Sequence, residues 1–255
     1  MGKPVFILVP GAAAPAKIYR REIARFNELG YEAETVPTPS VGRRDPLPPA
    51  TMDEDAVTVR NVAMKYINQG KDVNIVTHSY GGLPGTEAVR GISKKVREAK
   101  GLKGGVSRII YVTSVVLPVG GKLSDAFEGG MPSFLKVVDE YLVQPTPEEN
   151  TKIVFYDIPE AEAIEWAREM EEHSFTSYAG PLTYAAWNDV PVSYFFCEND
   201  TIIPPQAQQG GIDLIEKESG QKVDVHRLQA GHAPQANFPG RIPEMIIEKI
   251  VPLDA

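Results

Sequence analysis

Short runs of apolar residues recur along the chain, and longer segments with apolar positions three or four residues apart separate them. Near-continuous apolar runs are typical of strands buried on both faces, whereas the second spacing is typical of amphipathic helices. The runs predict strands at residues 6–9, 32–36, 73–77, 108–116, 192–197 and 222–228. The helical spacing predicts helices at residues 18–29, 53–69, 85–97 and 242–250. This alternation predicts an α/β fold with a mostly parallel, doubly wound sheet.

Two segments interrupt the alternation. Residues 37–50 contain five prolines and predict a long ordered loop. Residues 117–186, here named the cap segment, combine glycine pairs and prolines with a helix-like stretch and many aromatic side chains. We expect a helical cap, or lid, inserted into a core made of residues 1–116 and 187–255; an ordinary extra helical layer is the alternative. Five aromatic residues of the cap segment are candidates for lining a substrate pocket: Phe127, Phe155, Tyr156, Trp166 and Tyr184.

The composition indicates a folded chain with a large core, since 42% of its 255 residues are hydrophobic and 24% are charged. A formal net charge of −8 without a dense basic run argues against binding to nucleic acid or to a membrane surface. The single cysteine, Cys197, excludes an intramolecular disulfide. The first apolar run is too short for a membrane helix or a signal peptide, so we expect a cytoplasmic location and a small-molecule substrate as the partner.

The strongest local motif is VTHSYGG at residues 76–82, where a predicted strand runs into a turn of small residues and then a helix. This is the setting of a nucleophile elbow, whose strained turn requires small neighbours and exposes a serine hydroxyl. Gly81 and Gly82 meet that requirement on one side, while Thr77 stands where the first glycine of G-x-S-x-G is usual. Ser79 is therefore the candidate nucleophile; a plain turn between strand and helix is the alternative.

A serine nucleophile needs a base, and the chain has four histidines. His78 adjoins Ser79 and is expected to point away from its hydroxyl. His226 alternates within a predicted strand, and His173 lies in the cap segment, where we expect it at the surface or against the substrate. His232 follows the last predicted strand in a loop that can reach the edge of the sheet. It is the candidate base.

The carboxylate that orients the base is expected after the preceding strand, at residues 192–197. Asp200 follows that strand and is the candidate for holding the imidazole in one tautomer. Two alternatives stay open: Asp200 caps the helix that begins near Pro204, or Glu198 takes the role.

A tetrahedral intermediate needs two N–H donors. The amide of Tyr80, the residue after the nucleophile, supplies one, and the small residues after the first strand supply the other. We expect that second donor to be Ala12, with Gly11 allowing a close approach; a packing turn is the alternative. The chain has no G-x-G-x-x-G fingerprint, phosphate loop or metal-ligand cluster, so neither a cofactor nor a metal is predicted.

Four sequence stretches carry a resemblance to a known family: FILVPGA, VTHSYGG, FFCENDTIIP and QAGHAPQ. The last three contain the candidate serine, aspartate and histidine, in that order along the chain. Together they resemble the α/β-hydrolase superfamily along nearly the whole chain. More narrowly, the chain resembles the small cap-bearing branch of plant methylesterases, hydroxynitrile lyases and related microbial serine hydrolases. The resemblance implies a triad of Ser79, Asp200 and His232, an oxyanion hole from the Ala12 and Tyr80 amides, and a lid after the fourth core strand.

Two departures bear on the reaction. The lyases of this branch carry a threonine where the chain has Gly11 and a lysine where it has Ala233. Without that lysine no cation is expected to stabilise departing cyanide, so hydrolysis is favoured. The sequence thus predicts a serine hydrolase for a small to medium uncharged ester, lactone or thioester. A non-hydrolytic lyase on the same site and a ligand receptor with little turnover are the alternatives.

Overall fold

The structure is a computed structural model that describes residues 2–127, 129 and 135–254. Its strands are β1 (Val5–Val9), β2 (Ala33–Thr35), β3 (Asp72–Ser79), β4 (Gly105–Ser114), β5 (Lys136–Val138), β6 (Tyr141–Val143), β7 (His173–Ser174), β8 (Val192–Cys197) and β9 (Asp224–Leu228). Its α-helices are α1 (Arg20–Glu28), α2 (Met52–Ile67), α3 (Gly82–Ala88), α4 (Lys94–Glu98), α5 (Pro147–Asn150), α6 (Glu160–Arg168), α7 (Pro205–Ser219), α8 (Pro234–Asn237) and α9 (Arg241–Met245).

The main sheet has the strand order β2-β1-β3-β4-β8-β9, and every neighbouring pair is parallel. This confirms the predicted parallel α/β fold, and each predicted core strand is present. Because parallel strands end at the same edge of a sheet, the loops after β1, β3, β8 and β9 meet there. That edge is where the sequence placed the candidate nucleophile, carboxylate and base.

Both faces of the sheet are covered. Along β1, Phe6 and Leu8 pack into one apolar layer, and Ile7 and Val9 pack into the other. The continuous apolar runs are explained by this arrangement, since neither set of side chains faces solvent. Within the described residues, no helix combines the length and the apolar composition needed to cross a membrane.

The predicted helix at residues 85–97 is two helices, α3 and α4. The first helix ends at Ala88, and Gly91 in the turn between the two helices has φ +72°, a left-handed conformation through which a helix does not continue. Ser93 then caps α4 by accepting a hydrogen bond from the Val96 amide at 3.2 Å. The predicted helix at residues 242–250 begins as α9 and continues as a π-helical turn at Ile246–Ile250.

The cap segment is not purely helical. Besides α5 and α6 it contains an antiparallel sheet in which β6 pairs with both β5 and β7. Asp139 and Glu140 connect β5 to β6 with φ +49° and +65°, the two positive angles of a tight hairpin turn. Residues 128 and 130–134 of the predicted cap lie outside the described residues, and its boundaries as a separate domain stay a prediction.

A buried carboxyl group on α1 makes stability depend on pH. Glu22 is 3% exposed; its Oε1 accepts a hydrogen bond from the Gly240 amide at 3.3 Å, and its Oε2 has no partner within the described part of the chain. Burial raises the pKa of Glu22 to about 7, against the opposing effects of the Gly240 amide and of the charges on Arg21 and Arg20.

Because the folded chain holds this proton more tightly than the unfolded chain does, the free energy of unfolding should fall as pH rises from 4.5 to 7. We predict that Glu22→Gln reduces this fall by about 2 kcal/mol. Urea unfolding at pH 5 and pH 8 measures the change in the free energy of unfolding between the two pH values. The exposed residue Glu28 on the same helix provides the control, Glu28→Gln. An unchanged fall in Glu22→Gln would contradict the prediction.

Candidate active site

Ser79 ends β3 with φ +52°, in the left-handed region that residues with a side chain rarely adopt. The turn that follows is crowded by the neighbouring strands. A Cβ on Gly81 would lie 2.5 Å from the carbonyl oxygens of both Val9 and Pro10. A Cβ on Gly82 would lie 2.2 Å from the Val115 oxygen. Only glycine can occupy these two positions, so the turn projects the Ser79 side chain from the carboxyl edge of the sheet.

His232 lies in the loop after β9 and reaches Ser79. Its Nε2 is 3.0 Å from Ser79 Oγ, and its Nδ1 is 2.8 Å from Asp200 Oδ2. Asp157 of the cap segment holds this loop by accepting a hydrogen bond from the Gly231 amide at 2.5 Å. The structure thus brings together the three residues that the sequence proposed as nucleophile, base and carboxylate.

Asp200 is almost fully buried and is held by several donors. Its Oδ1 accepts hydrogen bonds from the Ile202 and Ile203 amides at 2.8 and 3.0 Å, and its Oδ2 accepts one from the Thr113 hydroxyl. Burial acts to raise the pKa of Asp200, but the charge of His232 and these hydrogen bonds hold that pKa below its ordinary value. The group at His232 is therefore a carboxylate.

The structure also bears on the two alternatives for the orienting carboxylate, namely that Asp200 caps a helix or that Glu198 takes the role. Helix α7 begins at Pro205 with Pro204 as its N-cap, so Asp200 does not cap it. Glu198 instead contacts Arg227 at 3.4 Å and Gln229, on the outer side of the sheet edge. Asp200 and not Glu198 thus faces the base.

The loop after β1 packs directly on the serine turn, because a Cβ on Gly11 would lie 3.0 Å from Ser79 Cβ. Within the described residues, the amides of Ala12 and Tyr80 donate to no protein acceptor. Both sequence-predicted donors line the same cavity as Ser79. Their role in binding an oxyanion stays a prediction.

His173 is fully buried, so the expected surface position is wrong. It lies in β7 of the cap segment, and its Nδ1 accepts a hydrogen bond from the Ala13 amide at 3.2 Å. Ser177 donates its hydroxyl to the Ser174 carbonyl and accepts from His173 Nε2 at 3.1 Å. Burial lowers the pKa of His173 to about 3, so its ring is neutral. The cap thereby fixes Ala13, whose φ is +61°.

His78 belongs to a buried chain of hydrogen bonds. The Gly11 amide donates to the Tyr19 oxygen at 3.3 Å, and Tyr19 donates to His78 Nδ1 at 2.8 Å. His78 Nε2 lies 2.7 Å from the backbone oxygen of His232, which can only accept, so Nε2 carries the proton. Burial and the charge of His232 lower the pKa of His78 to about 3. This chain connects the loop after β1 to the loop that carries His232.

A cavity of about 260 Å³ opens onto Ser79 and His232. Its wall is mainly apolar, and no charged side chain among the described residues lines it. Phe127 and Phe155 belong to the lining, and their contact with a substrate stays a prediction.

The other three aromatic candidates lie elsewhere. Tyr156 packs on the loop after β9, where it crowds Gly231. Trp166 lies against α1, with the Arg21 guanidinium 5.2 Å from its ring. Tyr184 donates a hydrogen bond to Asp189 near the other end of the cap segment. Tyr156, Trp166 and Tyr184 are thus not among the residues that line this cavity, and a role for them in substrate binding stays a prediction.

The sequence profile described as the alpha/beta hydrolase family matches residues 6–242. The chain belongs to this family. A probable hydrolase, R7, from Phoma sp. is 34% identical over 97% of this chain and 98% of its own length. The alpha/beta hydrolase nvfD from Aspergillus novofumigatus is 32% identical over 96% of each chain. The protein is therefore a hydrolase of the alpha/beta hydrolase family.

Solved structures share the fold at lower identity. The pyrethroid hydrolase PytH superposes with a TM-score of 0.74 at 19% identity, covering 100% of both chains. Polyneuridine aldehyde esterase superposes with a TM-score of 0.73 at 17% identity, covering 97% of this chain and 99% of its own. These likenesses show that the hydrolase shares its fold with both structures.

The hydrolase accommodates Thr77 in a way that the sequence motif did not reveal. Thr77 Oγ1 lies 2.9 Å from Ser114 Oγ, which fixes the side chain in the core. A Cβ on Gly85 would lie 2.4 Å from Thr77 Cγ2. The glycine expected before the serine is thus replaced by a threonine, and the space for its methyl group comes from a glycine in α3.

We predict that Gly85→Ala destabilises the fold by about 1–3 kcal/mol through overpacking, although alanine favours a helix over glycine. Thr77→Ser removes the clashing methyl group and keeps the hydroxyl, so Thr77→Ser/Gly85→Ala should recover most of that loss. Chemical unfolding of the wild type, both single variants and the double variant measures the coupling. Additive losses would contradict the proposed contact.

Proposed function

We propose that this hydrolase cleaves a small to medium uncharged carboxylic ester through a triad of Ser79, His232 and Asp200. The observation that carries the proposal is the hydrogen-bonded row from Ser79 Oγ to His232 to Asp200, at 3.0 and 2.8 Å, with Ser79 on a strained turn. Each spacing lies within hydrogen-bond range for a nucleophile, its base and the group that orients the base.

In the first half of the proposed reaction, Ser79 Oγ attacks the ester carbonyl while His232 Nε2 takes its proton. Asp200 stabilises the resulting imidazolium, and the amides of Ala12 and Tyr80 donate to the oxyanion. Collapse of the tetrahedral intermediate breaks the C–O bond, and His232 returns its proton to the departing alcohol. Water then attacks the acyl group on Ser79 while His232 takes a proton from it. Collapse of the second tetrahedral intermediate breaks the bond between the acyl carbon and Ser79 Oγ, His232 returns the proton to that oxygen, and the acid is released.

The lining supports an uncharged substrate. A charged group entering this apolar cavity would lose its hydration without meeting an opposite charge. The volume of about 260 Å³ suits a small to medium molecule. A lactone or thioester presents the same electrophilic carbonyl and falls within the proposal.

Two observations favour ester hydrolysis over the alternatives. Ala233 follows the base, and no lysine among the described residues lines the cavity, so a departing cyanide would meet no cation. A receptor with little turnover has no need of a serine aligned with a base and a carboxylate beside two uncommitted amides. The names of the relatives, which include hydrolases and an esterase, support the same choice.

We predict that a small fluorophosphonate labels Ser79 stoichiometrically and that Ser79→Ala abolishes labelling. Ser219→Ala, at the end of α7 and remote from the cavity, should label like the wild type. Asp200→Asn should lower the hydrolysis of a small aryl ester by about 10²–10⁴-fold, because the imidazolium loses its counter-charge. Intact mass, peptide mapping and initial rates measure these outcomes. Labelling that persists in Ser79→Ala would exclude the proposed nucleophile.

The buried chain through Tyr19 leads to a second prediction. Tyr19→Phe keeps the ring but removes both the acceptor for the Gly11 amide and the donor to His78. Since both loops should then be less well positioned, we expect kcat to fall about tenfold with little change in KM. Tyr66→Phe, which removes a hydroxyl bonded to Glu34 far from the cavity, is the control. Equal kinetics for the two variants would contradict a positioning role for Tyr19.

A further inference from the structure

Most polar side chains in the cavity have partners that account for them, but Gln235 does not. It lies in α8, three residues after His232, and is 6% exposed. Within the described part of the chain its side-chain amide makes no hydrogen bond. The amide is not fully enclosed by protein atoms, so it stays accessible from the cavity and available to a group bound there.

The position of Gln235 places it at the reacting end of the cavity. It lines the cavity that contains Ser79 and His232, and it also borders a small cavity of about 30 Å³ beside His78 and Glu22. The short helix α8 begins immediately after the loop of the base, so a group held by Gln235 is held close to the ester.

Two further side-chain amides, both in the cap segment, also line the cavity. Asn150 is 2% exposed and donates its Nδ2 to Gln144 Oε1 at 3.2 Å. In the described residues, Asn150 Oδ1 and Gln144 Nε2 have no further partner, and both residues line the cavity. The pair therefore presents one spare acceptor and one spare donor to its contents.

We propose that Gln235 is a specificity-determining residue that binds a second, neutral polar group of the substrate, so that the preferred substrates are esters carrying a hydroxyl or ketone oxygen. This inference rests on the proposed function and refines its substrate class. Side-chain amides both donate and accept, which matches neutral oxygen groups, and the uncharged lining disfavours acids and amines. The apolar remainder of the wall takes the hydrocarbon part, and the pair of Asn150 and Gln144 can bind a further oxygen.

The discrimination has a physical basis. An ester without the extra oxygen leaves the Gln235 amide unpaired after the cavity water is displaced, while the oxygenated ester pairs it. We therefore expect kcat/KM to differ by tenfold or more between the two members of a matched pair. Gln235→Met keeps the length of the side chain and removes the amide, so it should reduce that ratio to near one.

The test uses pairs of alkyl esters. One member of each pair carries a hydroxyl group or a ketone at the second, third or fourth carbon from the scissile carbonyl, and the other carries a methylene at the same position. The kcat/KM ratio of each pair, corrected for the uncatalysed rates, is measured for the wild type, Gln235→Met and Gln235→Leu. Gln209→Met, which alters a partly exposed glutamine of α7 that does not line the cavity, is the matched control and should keep the wild-type ratio. Asn150→Leu measures how much the amide pair of the cap segment contributes to the kcat/KM ratio.

The outcomes separate the two proposals. A preference in the wild type that both Gln235 variants lose, while fluorophosphonate still labels Ser79 in them, supports the subsite. Wild-type hydrolysis with no preference, or a preference that survives in the Gln235 variants, overturns the subsite and leaves the proposed function standing. An equal loss on both members of each pair assigns Gln235 to the wall of the small cavity and also overturns it. A wild type that neither labels nor hydrolyses any ester overturns the proposed function, and the subsite with it.

Discussion

The left-handed backbone of Ser79 can persist only because the neighbouring strands crowd the turn that follows it. Such a conformation costs of the order of 1–3 kcal/mol for a residue with a side chain. The carbonyl oxygens of Val9 and Pro10 on one side and of Val115 on the other leave room only for glycine at the next two positions. The order of the strands therefore sets the shape of the turn, and the turn sets where the hydroxyl lies relative to His232 and the two free amides.

Two neutral histidines hold the loop after β1 through hydrogen bonds, one from the core and one from the cap segment. His78 acts from the core through Tyr19, and His173 acts from the cap segment through Ala13. Burial keeps both rings uncharged, and their backbone partners, the His232 carbonyl and the Ala13 amide, fix their tautomers. His232 differs from both because its two ring nitrogens face a hydroxyl and a carboxylate. Histidines of one chain thus take separate roles according to their hydrogen-bond partners.

The sequence predicted the parts of the structure that follow from local pattern and chain order. The core strands are continuous apolar runs. Ser79 ends a strand, and Asp200 and His232 follow one, so a parallel sheet brings all three to one edge. The aromatic residues of the cap segment were not predictable in this way. Composition marks Trp166 and Tyr184 as large side chains, but their positions depend on partners distant in sequence.

The same reason explains the burial of His173, whose partner is 160 residues away. It also explains the compensation of Thr77 by Gly85, because the two residues meet only when α3 packs on β3. The hairpin of the cap segment was missed for a local reason. Its turn residues, Asp139 and Glu140, lack the glycine that usually indicates such a turn.

The attachment of the cap segment to Ala13 has a thermodynamic consequence. Ala13 donates its amide to His173 and accepts a hydrogen bond from the Glu171 amide at 2.9 Å, so both of its backbone groups are bonded to the cap segment. Separation along this line would break both bonds and release a residue held at φ +61° beside the Ala12 amide. Any such separation of the cap segment would therefore be thermodynamically linked to the occupation of that amide. If a closed cap strengthens binding at the amide by a given free energy, a ligand bound there stabilises the closed cap by the same free energy.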